Sequence, residues 1–96
     1  MIALRQTAEF AAWFAALRDH RAQVAIAKRM VRLQSGLFGD CQPVGEGVSE
    51  ARIFYGPGYR VYFVQRGAEL IILLCGGDKK SQSRDIAKAL KLARET

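Results

Sequence analysis

Val48-Ser49-Glu50-Ala51-Arg52-Ile53-Phe54-Tyr55-Gly56-Pro57-Gly58-Tyr59-Arg60-Val61-Tyr62-Phe63-Val64 is the stretch on which the fold turns. Apolar and polar residues alternate on both sides of Gly56-Pro57-Gly58, which marks two strands joined by a turn. The alternation predicts strands over 48–55, 59–65 and 69–75, the last two joined by Arg66-Gly67-Ala68, and Gly76-Gly77 is expected to break the third. A three-residue loop at 56–58 sets Tyr55 opposite Tyr59, Phe54 opposite Arg60, Ile53 opposite Val61 and Arg52 opposite Tyr62. Successive side chains point to opposite faces. One face then carries Ala51, Ile53, Tyr55, Tyr59, Val61 and Phe63, which reads as core. The other carries Arg52, Phe54, Arg60, Tyr62 and Val64. A slip of two residues keeps this grouping, whereas a slip of one exchanges the faces.

Burying two guanidiniums without partners costs several kcal/mol, on the order given for buried ions, so the second face is expected to be open. Two readings of it stand. Its arginines are solubilising residues, with Glu50 or Glu69 available to pair with one, or Arg52, Arg60 and Tyr62 form a site.

Working towards the N-terminus, Gly36 to Gly47 holds four glycines and Pro43 and reads as a loop, with Gly45-Glu46-Gly47 as a turn. Before it, Phe10, Trp13, Phe14 and Leu17 recur at helical spacing behind Thr7, a residue able to cap a helix. Asp19 can cap a second helix running to about Ser35, with a stripe of Val24, Ala27 and Val31 and its neighbours Met30 and Leu33. Arg21, Lys28, Arg29 and Arg32 lie off that stripe. The short break at Asp19 predicts an antiparallel helical hairpin. Residues 2–6 form a short strand. Working towards the C-terminus, Ile86, Ala89, Leu90 and Ala93 line one face of a helix over about 83–94. The order is β-α-α-β-β-β-α. The expected class is α+β: a small antiparallel β-sheet with an N-terminal helical hairpin and a C-terminal helix, in one domain spanning 1–96.

Lys and Arg number 15 against 9 Asp and Glu, a formal net charge of +6 in 96 residues, which favours an anionic partner. The basic residues cluster after the last strand, in Asp78-Lys79-Lys80-Ser81-Gln82-Ser83-Arg84, and continue along the terminal helix at Lys88, Lys91 and Arg94. Free N–H groups at a helix start favour anions, although a solvated charged loop has the same composition. The segment lacks the glycine spacing of a phosphate-binding P-loop. Cys41 and Cys75 have no metal-like spacing and His20 is the single histidine, so no metal or cofactor is expected, and the cysteines read as free thiols. No apolar run reaches membrane length and no signal pattern opens the chain, so a cytoplasmic protein without a membrane partner is expected.

The segments Val48-Ser49-Glu50-Ala51-Arg52-Ile53, Gly56-Pro57-Gly58-Tyr59-Arg60-Val61-Tyr62-Phe63 and Leu73-Leu74-Cys75-Gly76-Gly77-Asp78-Lys79, with Phe10-x-x-Trp13-Phe14-x-x-Leu17, resemble the HigB-like addiction-module killer branch of the RelE/ParE superfamily. The resemblance spans nearly the whole chain. It implies the toxin half of a bacterial toxin–antitoxin pair, with a cognate antitoxin as partner and a toxin–antitoxin heterotetramer as one assembly. On the RelE side it implies a metal-independent, ribosome-dependent mRNA endonuclease, in which the RNA 2′-hydroxyl attacks the adjacent phosphate. On the ParE side it implies a non-enzymatic inhibitor of DNA gyrase. Carried over by position, Arg60 matches a phosphate-stabilising arginine and Lys79 a second basic catalytic residue, with Arg52 in the preceding strand. Tyr62 joins them as a catalytic candidate from face geometry alone, and Lys80, Arg84 and Lys88 are the nucleic-acid-binding candidates. The catalytic His or Tyr that several RNase members carry near the C-terminal helix has no counterpart in Ser83-Arg84-Asp85-Ile86-Ala87-Lys88. Asp85 offers a carboxylate there that could equally cap the helix.

Overall fold

A computed structural model describes residues 1–96. The elements run β1 (Ala3–Gln6), α1 (Ala8–Ala16), α2 (His20–Gln34), β2 (Cys41–Gly45), β3 (Val48–Ile53), β4 (Tyr59–Arg66), β5 (Leu70–Gly77) and α3 (Gln82–Glu95), with one 3-10 turn at Lys79–Ser81. The class is α+β, built on a five-stranded sheet of order β1-β5-β4-β3-β2. α1 and α2 cover one face of the sheet and α3 the other. No helix is long and apolar enough to cross a membrane.

Both expected caps form. Thr7 Oγ1 accepts from the Phe10 N–H at 3.0 Å and donates to the Leu74 carbonyl, so the start of α1 is pinned to β5. Asp19 accepts from the N–H groups of Arg21 and Ala22, at 2.9 and 3.4 Å, and also takes the Tyr55 hydroxyl at 3.0 Å. Such a cap contributes about 1 kcal/mol. Phe10 sits in the core with Trp13, Phe14 and Leu17 packed around it.

Several expectations need correction. The two N-terminal helices pack mainly on the sheet, α1 across β5 and α2 across β3, rather than chiefly on each other as a hairpin. The buried stripe of α2 is Ala22, Ile26, Met30 and Leu33. Of the expected stripe only Met30 and Leu33 are buried, while Val24, Ala27 and Val31 are exposed. Both stripes are apolar at helical spacing, so periodicity does not rank them; the sheet takes the one with the larger side chains. The sheet is mixed rather than antiparallel, because β1 pairs in parallel with β5. The stretch 36–47 is not all loop, since β2 lies antiparallel to β3. Pro43 hides that strand in the sequence, and it is tolerated because β2 is an edge. Glu46 and Gly47 turn the β2–β3 hairpin with φ of 52° and 80°, the paired positive angles of a tight hairpin turn.

Gly76 and Gly77 continue β5 instead of breaking it. A register irregularity sits between Tyr62 and Phe63: Tyr62 opposes Cys75 and Phe63 opposes Leu73, leaving Leu74 as the extra residue. Beyond this bulge the two glycines face opposite layers. A methyl group on Gly76 would collide with the Trp13 ring, and one on Gly77 with the Asp85 carboxylate. Each glycine lets one helical layer approach the strand.

Gly76→Ala is expected to lower stability by about 1–3 kcal/mol, the usual cost of overpacking, with the fold retained. Urea unfolding followed by Trp13 fluorescence checks this. A midpoint identical to wild type would mean that the ring moves aside without loss.

Candidate functional site

Strand β3 ends at Ile53, earlier than expected. The Tyr55 N–H donates to the Ile53 carbonyl at 2.9 Å, and the Gly58 N–H to the Tyr55 carbonyl at 3.1 Å. A tight turn centred on Phe54 thus precedes the glycine turn, and the connection covers 54–58. The register moves by two residues in consequence: Ile53 opposes Tyr59, Arg52 opposes Arg60, Ala51 opposes Val61 and Glu50 opposes Tyr62. A shift of two preserves parity. Ala51, Ile53, Val61 and Phe63 lie in the core under α1 and α2, with Tyr55 and Tyr59 against it.

The second face is not open, contrary to expectation. Tyr62 and Val64 are buried with Val48, Ile72, Leu74 and Cys75 beneath Ala89 and Ala93 of α3. The apolar stripe of α3 needs a surface to cover, and its two alanines allow close approach. Burial of the polar groups at this face is made tolerable by one carboxylate. Glu50, 3 % exposed, accepts the Tyr62 hydroxyl at 2.9 Å and the Gln82 side-chain amide at 3.0 Å. Its other oxygen lies 3.7 Å from Arg60 Nε. Tyr62 is therefore a buried brace with no surface to offer a substrate. Burial, and then the hydrogen bond to Glu50, holds its hydroxyl far above the ordinary tyrosine range, so it stays protonated.

Arg60 is the distinctive member. Its side chain is 11 % exposed, and its Nε and Nη1 are buried without a hydrogen-bond partner. Arg52, directly across the strand pair, is about a third exposed and holds Asp40 through two bonds, Nε to Oδ2 at 3.2 Å and Nη2 to Oδ1 at 3.0 Å. On the other side of Arg60 stands Gly77 of β5, from which Asp78, Lys79 and Lys80 follow. Asp78 turns its carboxylate onto the N–H groups of Lys80 and Ser81, at 2.9 and 3.2 Å. Both lysines are exposed. A Cβ on Gly58 would stand 3.8 Å from that of Lys79, so the hairpin tip and the 3-10 turn touch.

The fold thus brings Arg52, Arg60 and Lys79 to one end of the sheet, with Lys80 next to Lys79. Arg84 and Lys88 are exposed on α3 and stand away from its buried line of Asp85, Ala89 and Ala93. Asp85 is buried and takes the Ser81 hydroxyl, which braces the start of α3 rather than facing solvent. Glu50, Gln82 and Asp40 organise the site, yet only Glu50 had a signal in the sequence: a carboxylate on the same strand face as Arg52. Both cysteines are free. Burial pushes the Cys75 thiol up to about 12, helped by the nearby Asp85 charge.

No family model matches the chain. A protein of Haemophilus influenzae, described only as uncharacterized, is 46 % identical over 94 residues, covering 98 % of this chain and 95 % of that protein.

Stability should fall in alkaline solution. The unfolded Cys75 thiol ionises near 9.0 and the folded one at about 12, so between those values the unfolded state has lost a proton that the folded state keeps. Stability is fully present below the lower value and declines as pH rises above it. Tyr62 adds the same sign above its ordinary 10.0. Urea midpoints across this range should drop for wild type, less for Cys75→Ala, and a flat profile would refute the assignment.

Proposed function

We propose that this chain, which belongs to one family with the Haemophilus influenzae protein, is the toxin of a bacterial toxin–antitoxin pair and acts as a ribosome-dependent mRNA endonuclease. The observation that carries the reading is Arg60: a largely buried guanidinium 3.7 Å from the Glu50 carboxylate, with no protein acceptor saturating it. Nη2, which is neither hydrogen-bonded nor among the buried nitrogens, is the donor open to an arriving phosphoryl oxygen, and a charge-assisted bond there would add to the stability of an otherwise unsaturated guanidinium. Arg52 across the ladder and Lys79 at the end of β5 add positive charge to the same place. The α+β class, with two N-terminal helices and a C-terminal helix packed on one small sheet, supports the reading at the level of fold class alone.

In the proposed reaction the 2′-oxygen of one nucleotide bonds to the adjacent phosphorus and the bond to the 5′-oxygen breaks. The proton of the 2′-hydroxyl leaves to a base, and the departing 5′-oxygen gains a proton. The products are a 2′,3′-cyclic phosphate and a free 5′-hydroxyl. Charge grows on the non-bridging oxygens at the transition state. A cation already in position stabilises that charge without reorganising, and this is the role given to Arg60. Lys79 and Arg52 hold neighbouring phosphates, and Glu50 keeps Arg60 pointed. The ribosome supplies alignment of the message, which is itself a large rate factor. In this reading a partner antitoxin would bind α2, where exposed Val24 and Val31 lie on a helix that also carries Arg21, Lys28 and Arg32. Such a face suits an acidic amphipathic segment.

Brief induction in bacteria, followed by mapping of mRNA 5′ ends, tests the reading. Wild type should create new ends inside translated codons within minutes. Arg60→Lys and Arg60→Ala should lose cleavage by about 10²–10³-fold while keeping a native circular dichroism spectrum. Growth arrest with intact messages would overturn the nuclease reading, and stalled supercoiling by purified gyrase would then identify the other target.

A further inference from the structure

Phe54 is the residue that neither the core nor the arginine row absorbs. It is 82 % exposed, while the aromatic residues beside it in the chain, Tyr55 and Tyr59, pack against the core. Its exposure is built into the backbone: the bond from the Tyr55 N–H to the Ile53 carbonyl makes it the apex of a three-residue turn. That turn closes the strand pair one residue beyond Ile53–Tyr59 and two beyond Arg52–Arg60. Two residues of chain span at most about 7 Å, so the Phe54 backbone lies at the same end of the sheet as Arg52 and Arg60. The following loop carries Gly58 against Lys79. The one carboxylate bonded to this row on its open side, Asp40, is already bound by Arg52.

A large apolar ring exposed at the end of the sheet that also carries Arg52, Arg60 and Lys79 is poorly matched to an ordinary apolar protein surface. It is well matched to single-stranded nucleic acid, whose bases stack on aromatic side chains while the backbone follows positive charge. We propose that Phe54 is the platform on which one base of the message stacks, while Arg60 and Arg52 hold the phosphate beside it. This rests on the nuclease reading above and adds to it a residue that selects where the message is cut. Stacking on a phenyl ring tolerates every base, so the preference should be graded by stacking strength, with purines above pyrimidines.

The test compares wild type, Phe54→Ala, Phe54→Trp and Arg60→Ala as full chains on ribosomes programmed with a defined mRNA. Being exposed, Phe54 can be replaced without disturbing the core, and thermal melts verify this. Phe54→Ala should lower kcat/KM by about 5- to 100-fold, the range for loss of one stacked base, and redistribute the cut positions. Phe54→Trp should restore both, whereas Arg60→Ala should lose rate without shifting the positions. Unchanged rate and positions in an active Phe54→Ala protein would overturn the platform and leave the nuclease reading intact. Absence of cutting by wild type would overturn the nuclease reading itself. Fluorescence of a single-stranded oligoribonucleotide containing 2-aminopurine then decides the platform alone: quenching by wild type that Phe54→Ala loses sustains it, and no quenching refutes it.

Discussion

The structure depends on one buried carboxylate. Glu50 on β3 binds the Tyr62 hydroxyl of β4, the Gln82 amide at the start of α3 and, more loosely, the Arg60 guanidinium. It therefore joins two strands to the helix that covers them. A buried charge is tolerated only when several groups compensate it, and here those groups come from β4 and α3. Loss of Glu50 would strand an arginine, a tyrosine hydroxyl and an amide together. The same bonds place the arginine row at the edge of the covered region, so the organisation of the fold and the geometry of the candidate site have a common origin.

A sheet covered on both faces raises a second demand, because its last strand must admit a helical layer on each side. The bulge at Leu74 and the pair Gly76-Gly77 meet it. One glycine receives Trp13 from the α1 side, and the other receives Asp85 from the α3 side. Alternation up to the bulge at Leu74 and then absence of side chains at Gly76-Gly77 is therefore one device: β5 is apolar where it lies between cores and bare where the two layers converge on it.

Much of this was legible from residues alone, and the failures have identifiable physical causes. Period two marked the three central strands, and caps at Thr7 and Asp19 marked the helix starts, because these signals are local. Facial grouping survived the error in hairpin register because the shift was even. What remained hidden was non-local. Nothing in Cys41–Gly45 reveals a strand, since its partner β3 supplies the ordering and Pro43 argues against it. The parallel pairing of β1 depends on where the chain returns after α1 and α2. The cover over Tyr62 required knowing that the stripe of α3 would choose that face, and the expectation of an open face came from weighing Glu50 only as one optional partner and from missing Asp40, which holds Arg52.

Arg29 provides the comparison that gives Arg60 its meaning. Both are guanidiniums drawn in towards the sheet. Arg29 donates to the carbonyls of Phe38, Asp40 and Arg52, using Nε and both terminal nitrogens, and it thereby ties α2 to the connection before β2 and to β3. Nothing about it is unfinished, and its role is structural. Arg60 has comparable burial, yet Nε and Nη1 find no acceptor and its carboxylate neighbour stays at 3.7 Å. Folding alone gives no reason to keep such a residue, because a shorter apolar side chain would avoid the unmade bonds. A site that must receive an anion gives one: full satisfaction by protein acceptors would leave no donor for a phosphate. The contrast between a saturated and an unsaturated arginine in the same small domain is the physical basis for assigning one to the scaffold and the other to the proposed chemistry.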